Sequence, residues 1–287
     1  MTRPSRLLAL LVALLSSSAL TAVSTPASAQ TAAEPQQVRL SSWPRGATLT
    51  PKAKDVEEGD RLTLAAVIES PSRARKVTLQ KYRPPLYVGD DAEWNAVKSR
   101  NVRGAKRVRF AVVATGPNTE RYRAAITYKN AKPVTTQPVS VNVWRWIPLS
   151  DYDPYYQAEP YAAGFGAVSI NGQTYSGWGA ATYSHTGAWE ARFTPGRHCK
   201  TFRSVIGVSD ISHDGSSAII EFTADDAHIY ESPALTPGMD MTISLPLAMP
   251  YRFGIQLFDT TPGGTTGRDA VESWPVIGEP SFLCTGV

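Results

Sequence analysis

Histidine and cysteine are scarce in this chain of 287 residues, with four and two copies. His185, His198, His213 and His228 fall at none of the spacings of zincin or zinc-deaminase sites. A Gly-x-Ser-x-Gly elbow is absent, and His213-Asp214-Gly215-Ser216, although it holds triad residue types, places them too close in sequence to converge on one another. Gly263-Gly264-Thr-Thr-Gly267 lacks the lysine and the helix of a phosphate loop and reads as a hairpin tip. Beyond residue 30 no stretch sustains a helical period, and no apolar run approaches the roughly 20 residues needed to cross a bilayer. These absences argue against a metallohydrolase, a serine hydrolase, a phosphate-loop enzyme and a transmembrane anchor.

Residues 1–29 read as a secretory signal peptide, with Arg3 and Arg6, the apolar run Leu7 to Leu15 and the small-residue cleavage site Ala27-Ser28-Ala29. The expectation is a secreted protein, extracellular or associated with the cell wall. In that compartment Cys199 and Cys284 are expected to form a disulfide, closing a loop of about 85 residues and contributing on the order of 4 to 5 kcal/mol in the chain-entropy model. Charge is divided unevenly. From Gln30 to Trp146 there are 21 Lys and Arg against ten Asp and Glu, whereas beyond Trp146 six face 15, so the halves carry about +11 and −9. An exported basic half is attracted to polyanions such as an anionic cell-wall polymer, and nucleic acid is not an expected partner outside the cell. The alternative is that the charge serves solubility or mutual attraction of the halves.

Short alternating runs separated by Gly, Pro, Asn and Asp predict an all-β chain of two sandwiches. Leu62, Leu64, Ala66 and Ile68 alternate with smaller or polar residues, as do Tyr122, Ala124, Ile126 and Tyr128, and then Val139, Val141 and Val143. About seven such strands over residues 36–146 predict an immunoglobulin-like sandwich. The features Val56-Glu-Glu-Gly59-Asp60-Arg-Leu62-Thr-Leu64, Lys76-Val77-Thr-Leu79-Gln-Lys81, Trp94 and Glu120-Arg-Tyr122-Arg-Ala124 resemble bacterial immunoglobulin-like domains. That resemblance implies a spacing, presenting or adhesive module, with Tyr122 as its corner tyrosine. Residues 147–164 form a Pro- and Tyr-rich junction. Its prolines and the aromatics Trp144, Trp146, Tyr152, Tyr155, Tyr156 and Tyr161 predict packing along the domain boundary, or alternatively a sugar-stacking strip.

Residues 165–287 predict a jelly-roll, with strands at Ala167 to Ile170, Gly187 to Phe193, Thr201 to Gly207, Ala218 to Ala224, His228 to Glu231, Met241 to Leu245 and Arg252 to Phe258. Asn171-Gly172-Gln-Thr-Tyr175-Ser-Gly177, Cys199-Lys-Thr-Phe202 with Gly207-Val-Ser-Asp210, and the run from Gly215 to Ser232 resemble the NPCBM family of carbohydrate-binding modules. The resemblance implies a galactose-binding-like sandwich. Two motifs depart from it: Gly177-Trp178-Gly179-Ala-Ala-Thr-Tyr183 stands where the family has Gly-Leu-Gly-x-His, and Asp269-Ala-Val-Glu-Ser-Trp274 is stretched and lacks a histidine.

Sugar sites need aromatic faces for pyranose C–H groups and polar side chains for hydroxyls. The candidates of those types in turn-rich stretches are Trp178, Tyr183, Asp259, Arg268, Asp269 and Trp274. Trp189 reads as a core filler, Asp225-Asp226 as a hairpin turn, and Asp210 as a turn brace, with calcium ligation as its alternative. Glu221 with Asp259 is the conceivable glycosidase pair. The expected function is therefore a non-catalytic protein recognising a cell-envelope or environmental glycan, its basic first domain acting as spacer or docking module. A structural or protein-interaction factor without sugar binding is the alternative, and a polysaccharide hydrolase is third.

Overall fold

A computed structural model describes residues 45–286, except 86, 88, 90, 117, 159–162, 181, 184–187 and 264–270. For 180, 182, 183 and 188 only the backbone is described. The expected signal peptide lies outside these residues, as do Tyr161 and the Gly264–Gly267 part of the expected hairpin tip. Among the described residues no helix is long and apolar enough to cross a membrane.

The first half contains β1 (Ala47–Pro51), β2 (Asp55–Glu57), β3 (Arg61–Ile68), β4 (Ala74–Arg83), β5 (Glu93–Asn101), β6 (Arg107–Val113), β7 (Thr119–Tyr128), β8 (Ala131–Thr135) and β9 (Val139–Pro148). One sheet has the order β1-β3-β6, and a second runs β5-β4-β7-β9, with β2 added parallel to β9 and β8 beside β7. This is the layering of an immunoglobulin-type sandwich. The period-2 patterns explain it: β3 turns Leu62, Leu64, Ala66 and Ile68 inward and β7 turns Tyr122, Ala124, Ile126 and Tyr128 inward, against Val77, Leu79 and Phe110. Tyr122 donates its hydroxyl to the buried carboxylate of Glu120.

A 3-10 turn (Leu149–Asp151) leads to β10 (Tyr156–Gln157), β11 (Ala163–Ile170), β12 (Gln173–Ala180), β13 (Thr182–Tyr183), β14 (Ala188–Phe193), β15 (Cys199–Val208) and β16 (Ala218–Ala224). β17 (Ala227–Glu231), β18 (Asp240–Pro246), β19 (Phe253–Asp259), β20 (Glu272–Ser273) and β21 (Pro275–Cys284) complete the chain. The sheet β10-β14-β19-β16-β17 faces the strands β11, β12, β21, β15 and β18. Between them Phe202 contacts Phe222, Phe253 and Phe282 at centroid distances of 5.3, 4.7 and 5.1 Å. Cys199 and Cys284 lie directly opposite each other on β15 and β21 and are bonded, with the Tyr152 hydroxyl 3.6 and 3.3 Å from their sulfurs. Burial, and secondarily the neighbouring Asp151 charge, push the Tyr152 phenol up to about 12.

The boundary expected after Trp146 falls inside β9. Val139 to Asn142 of this strand pair with β7, and Arg145 to Pro148 pair with β21, so one hydrogen-bonded sheet passes from the first sandwich into the second. The junction aromatics divide accordingly. Tyr152 enters the second core and Trp144 is buried, donating its indole N–H to Asp55 under the Lys200 ammonium, while Tyr155 and Tyr156 stay exposed. The central strand β21, which the sequence pattern does not mark, carries Pro275, Gly278, Glu279, Pro280 and Ser281 among its apolar residues. Gly278 is required there, because a Cβ would sit 2.7 Å from the Tyr175 ring.

Candidate functional site

Trp178 is corrected first. It is 1% exposed, facing the core from β12 between β11 and β21, with Phe165 opposite on one side and Ile277 on the other. Alternation on an interior strand sends residue 178 inward, and a side chain sealed in the core cannot stack on a sugar. Its neighbours Gly177 and Gly179 allow the strands to close, since a Cβ on either would lie 2.4 Å from β21 atoms.

Trp274 sits differently. It is half-buried between β20 and β21, and its backbone is fixed by the loop after β15: Ser212 Oγ accepts its N–H at 3.0 Å, and its carbonyl accepts the Ser209 N–H at 2.8 Å. Its indole lines a groove of about 320 Å³ with Phe165, Ile211, Val276 and the backbone of β11. Phe165 and Ile211 are exposed, at 42% and 65%. Among the described residues β11 pairs with β12 alone and forms an edge; Gln157 and Asp210 donate to its Ala163 and Ser169 carbonyls, and the backbone between them borders the groove. The groove thus combines an aromatic face, apolar flanks and backbone hydrogen-bonding groups.

Backbone pairing sets Tyr183 opposite Glu272, two residues from Trp274. The Tyr183 side chain, Arg268 and Asp269 lie outside the described residues. Asp259, at the end of β19, accepts the Thr261 N–H at 2.8 Å through Oδ1, while its buried Oδ2 has no hydrogen-bond partner among the described residues.

The other readings resolve into structural roles. Asp210 accepts the Gly172 N–H at 2.9 Å and braces the β11–β12 turn. Asp225 and Asp226 take positive φ values of 48° and 66° in the β16–β17 hairpin, and Asp225 also accepts the N–H groups of Tyr251 and Arg252. His213 Nδ1 accepts the Glu272 N–H. Trp189 packs half-buried against the core. Glu221 and Asp259 do not form a catalytic pair: Asp259 stands opposite inward-facing Ala218, an odd number of residues from Glu221, so the two carboxylates lie on opposite faces of the sheet.

Two constellations carry no sequence motif. Glu221, His228 and Glu231 bring potential ligand atoms within 4.8 Å of one another on the β16–β17 hairpin, where burial and the facing Glu231 raise the Glu221 pKa. In addition, a cleft of about 250 Å³ opens where β21 bulges between its partners β12 and β9. Glu279 takes a φ of 49° there and accepts the Ser176 N–H, and Arg203 lies flat over Trp146 while donating to Ser281. Phe165 lines both this cleft and the Trp274 groove.

The class defined by these features is an all-β, two-sandwich protein with open aromatic grooves on its second sandwich. No family model matches the chain, and no curated protein matches it. Among solved structures, it is similar to the M60 catalytic domain with the CBM51-1 and CBM51-2 domains of Clostridium perfringens ZmpB, at 12% identity and a TM-score of 0.38 over 85% of this chain. The chain spans 32% of that structure's length. It is also similar to CBM51 from Clostridium perfringens GH95 in complex with methyl-galactose, at 15% identity and a TM-score of 0.36, covering 48% of this chain and 99% of that one. At such scores the likenesses are loose, and the functional reading rests on the residues themselves.

Proposed function

We propose that the chain is a secreted, non-catalytic glycan-binding protein whose C-terminal sandwich takes a sugar in the Trp274 groove. The observation that carries this reading is the half-buried Trp274 in an open groove beside Phe165, Ile211 and the outer edge of β11. A pyranose laid on the indole meets backbone donors and acceptors along its rim. Arg268 and Asp269, a few positions before Trp274 in the chain, are of the types that would hydrogen-bond sugar hydroxyls. The resemblance of the surrounding segments to NPCBM modules supports the same reading. The basic N-terminal sandwich docks this module on an anionic cell-envelope surface.

A glycan array, followed by titration of any hit, tests the proposal. Trp274→Ala is expected to weaken binding about tenfold or more, in line with the loss of a stacking aromatic. Absence of binding to every glycan, or a Trp274→Ala chain that binds like the parent, sinks it. The outer edge of β11, which pairs with no further strand among the described residues, also favours a second reading, in which an extended peptide adds to that edge. Recovery of a protein partner that competes at β11, with no glycan bound, supports that reading instead.

A further inference from the structure

We infer that the outer face of β5, β4 and β7 binds a linear anionic polysaccharide, with Arg121 and Arg123 gripping its acidic groups. This rests on the docking role proposed above for the N-terminal sandwich and assigns it a site.

Arg121 and Arg123 are two residues apart on β7, hence on one face and about 7 Å from each other along the strand. Each guanidinium lies against an aromatic ring of the neighbouring strands: Arg121 is 4.7 Å from the Tyr82 centroid and Arg123 is 4.3 Å from that of Trp94. The two rings pack together at 5.3 Å, and Gln80 accepts the Arg123 Nε–H at 2.8 Å. The arginines are therefore held in place before any ligand arrives, which lowers the ordering cost of binding. Their remaining N–H groups form planar forks matched to carboxylate or phosphate.

Register shows what else shares the face. Trp94, Ala96, Ser99 and Asn101 of β5 lie beside Tyr82, Gln80, Thr78 and Lys76 of β4, and these beside Arg123, Ala125 and Thr127 of β7. The face carries three cations and no carboxylate. Glu93 lies across from Arg83 on the opposite face, and Glu120 is buried and bound by Lys81, Tyr122 and Thr115. Neither Arg121 nor Arg123 is in any of the ion pairs among the described residues.

Tyr82 and Arg121 also line a cleft of about 590 Å³ at the strand ends, where it turns from this face to the other one and meets Lys81, Arg83, Asn95 and the Lys81-bound Glu120. That volume is within the usual range of small-ligand pockets, roughly 300 to 1,000 Å³. Its apolar walls suit the C–H face of a sugar ring whose acidic group reaches the arginines. A cationic face that ends at such a cleft fits an acidic polysaccharide better than a bare phosphate backbone.

Binding of the full chain to immobilised polygalacturonate tests this, with dextran as the neutral control. The parent is expected to bind at low salt, less at high salt, and not to dextran. Arg121→Gln with Arg123→Gln should weaken binding about tenfold or more, whereas Arg107→Gln with Arg109→Gln, which removes the same charge from exposed positions on the other sheet, should change it less than about twofold. Equal losses from the two pairs would mean that net charge alone acts and would overturn the site, as would a parent that does not bind polygalacturonate. Arg121→Lys with Arg123→Lys keeps charge but not the planar fork, and carries the test if the Gln pair unfolds. Partial loss supports the proposal and full retention overturns it. Duplex DNA bound as tightly, with the same arginine dependence, would also overturn the assignment to polysaccharide. Arginine-dependent binding to polygalacturonate with no hit on the glycan array would overturn the C-terminal groove alone, whereas array hits lost in Trp274→Ala with no arginine dependence on polygalacturonate would overturn this site alone.

Discussion

In the N-terminal sandwich a carboxylate occupies the interior: Glu120, with its side chain fully buried, receives Lys81, the Tyr122 hydroxyl and both donors of Thr115. In the C-terminal sandwich the corresponding place holds four phenylalanines and a disulfide, and the buried polar side chains among its described residues are serines and Thr261 alone. The comparison parallels the charge division. A buried anion is tolerable where the surrounding half has 21 basic residues against ten acidic ones, because Lys81 and the positive surroundings offset its lost hydration. The acidic half offers no such compensation, and none of its described carboxylate residues is fully buried, although Asp259 turns one oxygen inward. The first centre depends on directed bonds and the second on shape and a covalent tie, so they should fail differently.

The largest expected effect is Phe202→Ala, which removes the ring touching three other phenylalanines. It should destabilise the chain by about 3 to 5 kcal/mol in a urea melt, and a loss near zero would show that the ring stack does not hold the second sandwich. Next, Cys199→Ser with Cys284→Ser should lower stability by about 2 to 5 kcal/mol, and reduction of the parent should reproduce that drop in calorimetry. In the first sandwich, Glu120→Gln keeps the shape but removes the charge facing Lys81 and weakens the acceptor for Tyr122. A loss of about 1 to 3 kcal/mol is expected, and it should grow, not shrink, when the Tyr122 hydroxyl is retained instead of removed by Tyr122→Phe. The smallest effect concerns Glu221, whose pKa burial and Glu231 raise. A raised folded value means that the folded state favours the protonated carboxyl, so stability is lost as pH rises through that value. Glu221→Gln should therefore raise Tm slightly at about pH 7, and the gain should vanish by about pH 4, where both states are protonated.

Strands were legible wherever one face is apolar and the other polar. Ala218 to Ala224 was expected and forms β16 with those bounds, because Ala218, Ile220 and Phe222 set its phase unmistakably. β21 escaped because nearly all of its residues are buried, which erases alternation, and because Pro275, Gly278 and Pro280 read as loop. Trp178 was misread for a related reason. Its strand, Gln173–Ala180, offers only small and polar neighbours, and the inward phase becomes visible only through its pairing with β11 and β21. The half-buried, groove-lining position of Trp274 agrees with its turn-rich surroundings in sequence. Phe165 and Ile211 were not, since nothing local marks two residues 46 positions apart as walls of one groove. The arginine comb on β7 likewise depends on register: in sequence it is one more alternating strand.

β9 has a consequence for how the protein comes into being. Its first half can pair with β7 as soon as the N-terminal sandwich has been synthesised, but its second half waits for Ser281 to Cys284, far downstream in the chain. Until then the strand that links the modules presents an unpaired edge ending at Trp146 and Pro148, open to another chain. Completion of the C-terminal strand is thus also the step that seals the first module. A shortened chain ending before β21 would carry an open half-sheet rather than a free-standing domain.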